Sequence, residues 1–165
     1  MQENKHVITM LVDNEPGVLA RVVGLFGGRG FNIESLCVAE TVTPGISRIT
    51  IVTKANPPVV EQIEKQLNKL IDVVKLIDMT ADVHIERELM LIKVSAVDGE
   101  RDEVKRLVDI FHGQIIDVTD TTYTIEITGN GEKLNAFVEA LSSITILEVV
   151  RSGMIGIGRG EKAFG

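Results

Sequence analysis

The chain has 165 residues, 44% of them apolar and 25% charged, which is the composition of an ordered globular protein long enough for one medium domain or two small ones. A formal net charge of -7, with Lys and Arg scattered along the chain, repels nucleic-acid phosphates and anionic lipid and excludes both as partners. No run approaches bilayer-spanning length, the first residues hold no apolar signal core, and the single cysteine, Cys37, excludes an intrachain disulfide, so a cytoplasmic setting is expected.

His6 to Asp13 is dense in Val, Ile, Leu and Met and alternates poorly, the pattern of a strand buried on both faces or pressed into an interface. Asn14-Glu15-Pro16-Gly17 then leads into a helix, with Pro16 suited to its first turn and Val18, Leu19, Val22, Val23 and Phe26 marking one face. Gly27, Gly28 and Gly30 end it. Phe31 to Val42 and Ile46 to Lys54 are β-rich runs joined by the turn Thr43-Pro44-Gly45, which predicts an antiparallel hairpin. Asn56 can cap a second helix beginning at Pro57, whose inward face is Val59, Ile63, Leu67, Leu70 and Ile71, and Val73 to Met79 closes the unit as a strand.

After the polar link Thr80 to Val83 the order restarts. Leu89 to Ala96 reads as a strand and Val104, Leu107, Val108 and Phe111 as a helix face. Gln114 to Thr119 and Tyr123 to Thr128 form a hairpin, Leu134, Phe137, Val138 and Leu141 mark another helix, and Ile144 to Arg151 is the closing strand. The chain is therefore expected to be α+β, two tandem ferredoxin-like βαββαβ domains, residues 1–79 and 80–165. The series Gly153, Gly156, Gly158 and Gly160 has no helix after it, so it is expected to be a flexible or partner-docking tail, not a phosphate loop.

This architecture serves many activities, so the residues must choose among them. Ile46 to Lys54 has no aromatic residue to stack RNA bases, and the first strand-helix loop has no cysteine pair for a metal ion and no arginine for a phosphoryl group, Arg21 lying a turn into the helix. His6, His84 and His112 lie far apart without ligand spacing, so no metal site is expected, and no serine sits in a nucleophile elbow, so no catalytic residue is assigned. The Asn14 to Gly17 turn remains. Amides at a helix start lack intrahelical acceptors and the dipole favours an anion there. Gly17 removes the Cβ that would block a ligand, and Asn14 offers an amide to a carboxylate or accepts from an ammonium. The same residues also make a capped turn that binds nothing. The equivalent turn in the second repeat, Asp98 to Glu103, is filled with acids that would repel a carboxylate, so only the first domain is prepared for an anionic small molecule.

Asp13-Asn14-Glu15-Pro16-Gly17-Val18-Leu19-Ala20-Arg21-Val22, followed by Gly30-Phe31-Asn32-Ile33-Glu34-Ser35-Leu36, resembles the ACT-domain opening of the acetolactate synthase small (regulatory) subunits. The resemblance continues through Ser47-Arg48-Ile49-Thr50, Gly113-Gln114-Ile115-Ile116-Asp117-Val118 and Arg151-Ser152-Gly153. It implies an N-terminal ACT domain and a C-terminal ACT-like domain, both dimerising, in a subunit that is itself non-catalytic and carries no cofactor. The implied partner is a large catalytic subunit that holds thiamine diphosphate, Mg and FAD. Within branched-chain amino acid biosynthesis the small subunit would activate that partner and confer feedback inhibition by valine or a related branched-chain amino acid. The resemblance further implies an effector site between two ACT domains, with Asn14, Pro16, Gly17, Val18 and Leu19 from one chain, Asn32 and Ile33 from the other, and Ala39 near the effector side chain. A stand-alone ACT-domain amino-acid sensor acting on another enzyme is the alternative.

Overall fold

The computed structural model describes residues 2–164. Two compact units emerge, one running to Ile85 and including Met154 onward, the other spanning Glu86–Gly153.

The first unit contains β1 (Asn4–Asp13), α1 (Val18–Gly28), β2 (Ser35–Glu40), β3 (Ile46–Ala55), α2 (Pro57–Asn68) and β4 (Val73–Asp78). The strands form one antiparallel sheet in the order β2-β3-β1-β4, which leaves β2 and β4 as edges. As the hydrophobic pattern of His6 to Asp13 requires, β1 is buried on both faces: Ile8, Met10 and Val12 join the helix-side core, while Val7 belongs to a separate cluster on the other face. Alternation along a strand sends successive side chains to opposite faces, so both covers are needed.

Helix α1 starts two residues later than Pro16. Gly17 adopts a left-handed conformation, φ 85°, and forms the N-cap, so Pro16 stays outside the helix. The face expected from apolar periodicity narrows to Val18, Val22 and Phe26, with Leu19 and Val23 left 40% and 36% exposed. In α2 the Asn56 side chain accepts a hydrogen bond from the Val59 amide (3.1 Å), and the buried stripe is Val60, Ile63 and Leu67. Ile71, expected on that stripe, lies in the turn beyond the helix and is exposed. Residues 31–34 precede β2 as irregular chain, shortening the expected strand.

The second unit repeats the pattern with β5 (His84–Ser95, whose first two residues belong to the first unit), α3 (Glu100–Ile110), β6 (Gln114–Val118), β7 (Thr122–Gly129), α4 (Gly131–Ala140) and β8 (Ile146–Arg151), in the sheet order β6-β7-β5-β8. Met90, Ile92, Val94, Val104, Leu107, Val108, Ile125, Ile127, Leu134 and Phe137 pack as its core, the faces that strand alternation and helical spacing mark in the sequence. The residues expected as a link include a 3₁₀ turn, Met79–Ala81, held by the Asp78 carboxylate accepting from the Thr80 amide (3.0 Å).

The glycine series, expected as a flexible or partner-docking tail, contains a strand, β9 (Ile155–Gly158), paired with β5. Within it Gly156 allows close approach, a Cβ there standing 3.0 Å from the Met79 sulfur.

Candidate functional site

The turn between β1 and α1 is anchored by backbone hydrogen bonds from Asp13 N to Asp72 O (2.9 Å) and Asn14 N to Gly45 O (2.8 Å). Among the described residues, α1 is the helix with neither a capping side chain nor an acid in its first turn. Asn56 caps α2, Asn130 caps α4, and α3 opens with Glu100, Asp102 and Glu103. At α1, Val18 N reaches Glu15 O (3.3 Å) and Arg21 N reaches Gly17 O (3.0 Å), while the amides of Leu19 and Ala20 find no acceptor among the described residues. Unspent donors at the positive end of a helix dipole make a place for a carboxylate.

Arg21 brings a guanidinium to that place, partly neutralised by its pairing with Asp72. Its Nε donates to the Asp72 carboxylate (2.8 Å), and its Nη1 lies 3.0 Å from where a Cβ on Gly17 would stand. Gly17 is thus favoured by its positive φ, and a Cβ there would also press on the mobile end of the Arg21 side chain. On the other side of the turn, Asn14 Nδ2 donates to Glu40 Oε1 (3.0 Å), leaving the Asn14 Oδ1 without a partner among the described residues. One end of the turn therefore suits an anion and the other a cation, the two charges that a free amino acid carries on groups bonded to one carbon.

Asn14, Pro16 and Gly17 are exposed, as is Ala39 on β2, and Leu19 is partly so. Val18 is buried in the core, so its side chain faces away from solvent at the turn. Asn32 and Ile33 lie elsewhere. The Asn32 carbonyl accepts from the Thr53 hydroxyl, and Ile33 packs on the helix-side core. Thr53 sits opposite His6 on β1 whereas Ile46 sits opposite Asp13. Seven residues of β3 separate these points, about 23 Å at the rise of a strand. The residues expected to share a site thus fall at opposite ends of one sheet. Asn32 borders a cavity of about 420 Å³ whose wall includes Arg29, Phe31, Lys54, Val59 and Ile63.

Strand β2 connects the two ends. It runs along β3 from Ser35, opposite Val52, to Glu40, opposite Ser47, with Ala39 opposite Arg48, and its other side is a free edge. Val38 on this strand is 48% exposed. Glu40, Arg21 and Asp72 were not assigned from the sequence to this site. Glu40 follows directly on Ala39, but its approach to Asn14 depends on the β2-β3 register, and Asp72 reaches Arg21 only through the fold.

The described residues contain no group of three His, Cys, Asp or Glu side chains placed to hold a metal ion. His6 Nδ1 is 2.8 Å from the Asp78 carboxylate, and His84 Nδ1 is 2.8 Å from the Asp82 carbonyl. No described helix is long and apolar enough to cross a membrane.

Two ferredoxin-like units, the first with open helix-start amides at its strand-helix turn, are the architecture of the ACT-domain class. Residues 8–75 match the model of the AHAS small subunit-like ACT domain and residues 87–160 that of the small subunit of acetolactate synthase. The chain belongs to the acetolactate synthase small-subunit family. It is 53% identical to the acetolactate synthase small subunit of Haemophilus influenzae, over 96% of this chain and 98% of that one. It is 49% identical to the acetolactate synthase isozyme 3 small subunit of Escherichia coli with the same coverage. Among solved structures, the acetolactate synthase small subunit from Thermotoga maritima superposes with a TM-score of 0.86 at 42% identity, covering 96% of this chain and 99% of that one.

Proposed function

We propose that this chain is a non-catalytic regulatory subunit that activates a large, thiamine-diphosphate-dependent acetolactate synthase subunit in the cytoplasm and makes it sensitive to valine. The observation that carries the reading is the separation of the Asn14–Gly17 turn from Asn32 within one chain, with the free edge of β2 between them. Antiparallel pairing of two β2 edges about a two-fold axis sets the Ser35 end of one strand against the Glu40 end of the other. Asn32 and Ile33 of one chain then approach the Asn14 turn of its partner, completing two equivalent sites.

In such a site the valine carboxylate meets the free amides of α1 and Arg21, and the ammonium meets Asn14 Oδ1 and Glu40. The branched side chain lies against Leu19 and, across the interface, Ile33, with Ala39 limiting its size. Because each site takes residues from two chains, occupancy favours the dimer geometry that closes it, which is the differential binding that an allosteric effect requires.

The test is an acetolactate synthase assay of catalytic subunit alone, with this chain added, and with valine, leucine and isoleucine titrated in turn. Stimulation by the chain, reversed by valine, is expected. No stimulation, together with no co-purification with the catalytic subunit, would favour instead a stand-alone ACT-domain sensor of another enzyme.

A further inference from the structure

The face of the first unit's sheet that points away from α1 and α2 is covered by the end of the chain. On that face Val7, Thr9, Thr50 and Val52 are at most 3% exposed, and Met154 joins Val7, Val52 and Met79 in a cluster of its own. Arg48 lies at the centre of the attachment. Its Nε donates to the Thr9 hydroxyl (2.9 Å), its Nη2 donates to the Gly156 carbonyl (2.8 Å), and its guanidinium stands 5.3 Å from the Phe164 ring centroid, with the Lys75 ammonium 5.0 Å from that centroid. The Lys162 ammonium also pairs with Asp82 at 3.4 Å. The segment bends at Gly153 and Gly160, which have φ of 87° and 74°.

Two features give this attachment a meaning beyond packing. Arg48 lies opposite Ala39 and next to Ser47, which faces Glu40, so the residue that grips the chain end is one position from the corner where Asn14 holds Glu40. The chain also leaves the first unit after Ile85 and returns to it at Met154. With the end docked, both strands of chain leading to the second unit are fixed on the first. Released, only one is, and a longer flexible span costs more entropy to order. The segment is held by one four-residue strand, the buried Met154 and the polar grip of Arg48, a set local enough for a ligand's preference between two states to shift its population.

We infer that residues 154–164 are a releasable strap, gripped by Arg48, whose docking on the sheet is strengthened by effector binding at the Asn14–Gly17 turn. The inference rests on the effector reading proposed above. By reciprocity, loosening the strap weakens effector binding by the same factor that the effector tightens the strap.

Hydrogen exchange of the full-length chain, read on the 154–164 peptide with and without valine, tests this alongside calorimetric valine titration of the same samples. In the wild type this peptide exchanges faster than β1, and valine slows it by about fivefold. Arg48→Met speeds its exchange about tenfold or more and weakens valine binding by about fivefold. Phe164→Ala, at the far end of the strap, shifts both in the same direction by less and leaves the sheet folded, as thermal unfolding will show. Valine binding that leaves 154–164 exchange unaltered overturns the strap, as does exchange of this peptide only with global unfolding, or an Arg48→Met chain with wild-type valine affinity. Absence of calorimetric binding to the wild type would overturn the effector reading first, and the coupling with it.

Discussion

The two units place a strand-helix turn at the same point of the same fold and fill it differently. In the second unit, Glu100 Oε1 lies 3.3 Å from both the Val97 amide and the Ser95 hydroxyl, so the turn receives a carboxylate from its own helix. In the first unit no acid stands in the helix's first turn, the Leu19 and Ala20 amides are open, and Arg21 waits beside Gly17. A helix start needs an acceptor, and a protein can build one in or leave the position to a ligand. The self-filled turn is a structural cap, and the unfilled one leaves its donors open.

The largest effect is expected from making the first turn resemble the second. Gly17→Asp forces a side chain into a left-handed backbone, worth about 1 to 2 kcal/mol, pushes against Arg21 and offers that guanidinium an internal carboxylate. Valine affinity is expected to fall by about 100-fold or more, read by calorimetry, while stimulation of the catalytic subunit persists. Wild-type affinity in this variant would remove the turn from the site.

Asn14→Ala tests the other end of the charge pattern. Loss of Oδ1, and of the hydrogen bond that holds Glu40, is expected to weaken valine binding by about tenfold, the scale of one hydrogen bond to a charged group. Unchanged affinity would place the ammonium elsewhere. Smallest of these is Glu100→Ala in the second unit. It leaves the Val97 amide without its carboxylate and should lower stability by about 1 kcal/mol in chemical denaturation, with no change in valine response. A shifted valine response there would dissolve the distinction between the turns.

Most of the architecture was legible in the sequence because burial imposes periodicity. Helical spacing at Val104, Leu107 and Val108, and the unbroken apolar run from Val7 to Val12, can be read locally. Periodicity registers apolar character and not what covers it. Leu19 and Val23 therefore looked like core until the fold left them partly exposed, and glycines at 153–160 looked like slack chain until Met79 was found against Gly156. The turn itself was visible from Pro16 and Gly17. Arg21 with Asp72 and Asn14 with Glu40 were not, since contacts spanning 51 and 26 residues depend on strand order and register, which no local pattern records. The assignment of Asn32 came from family resemblance, and the fold places it at the end of the sheet away from the Asn14 turn.

The most direct test of the split site uses mixed dimers. Gly17→Asp and Asn32→Ala chains, carrying different tags, are purified separately, mixed, and the heterodimer isolated for calorimetry with valine. Each variant homodimer should bind valine at least about tenfold more weakly than wild type. In the heterodimer both lesions fall in one site, and the other pairs an unaltered turn with an unaltered Asn32, so one site of wild-type affinity is expected to return. Heterodimers as weak as their parents would contradict a site shared between chains, as would undiminished binding by the Asn32→Ala homodimer.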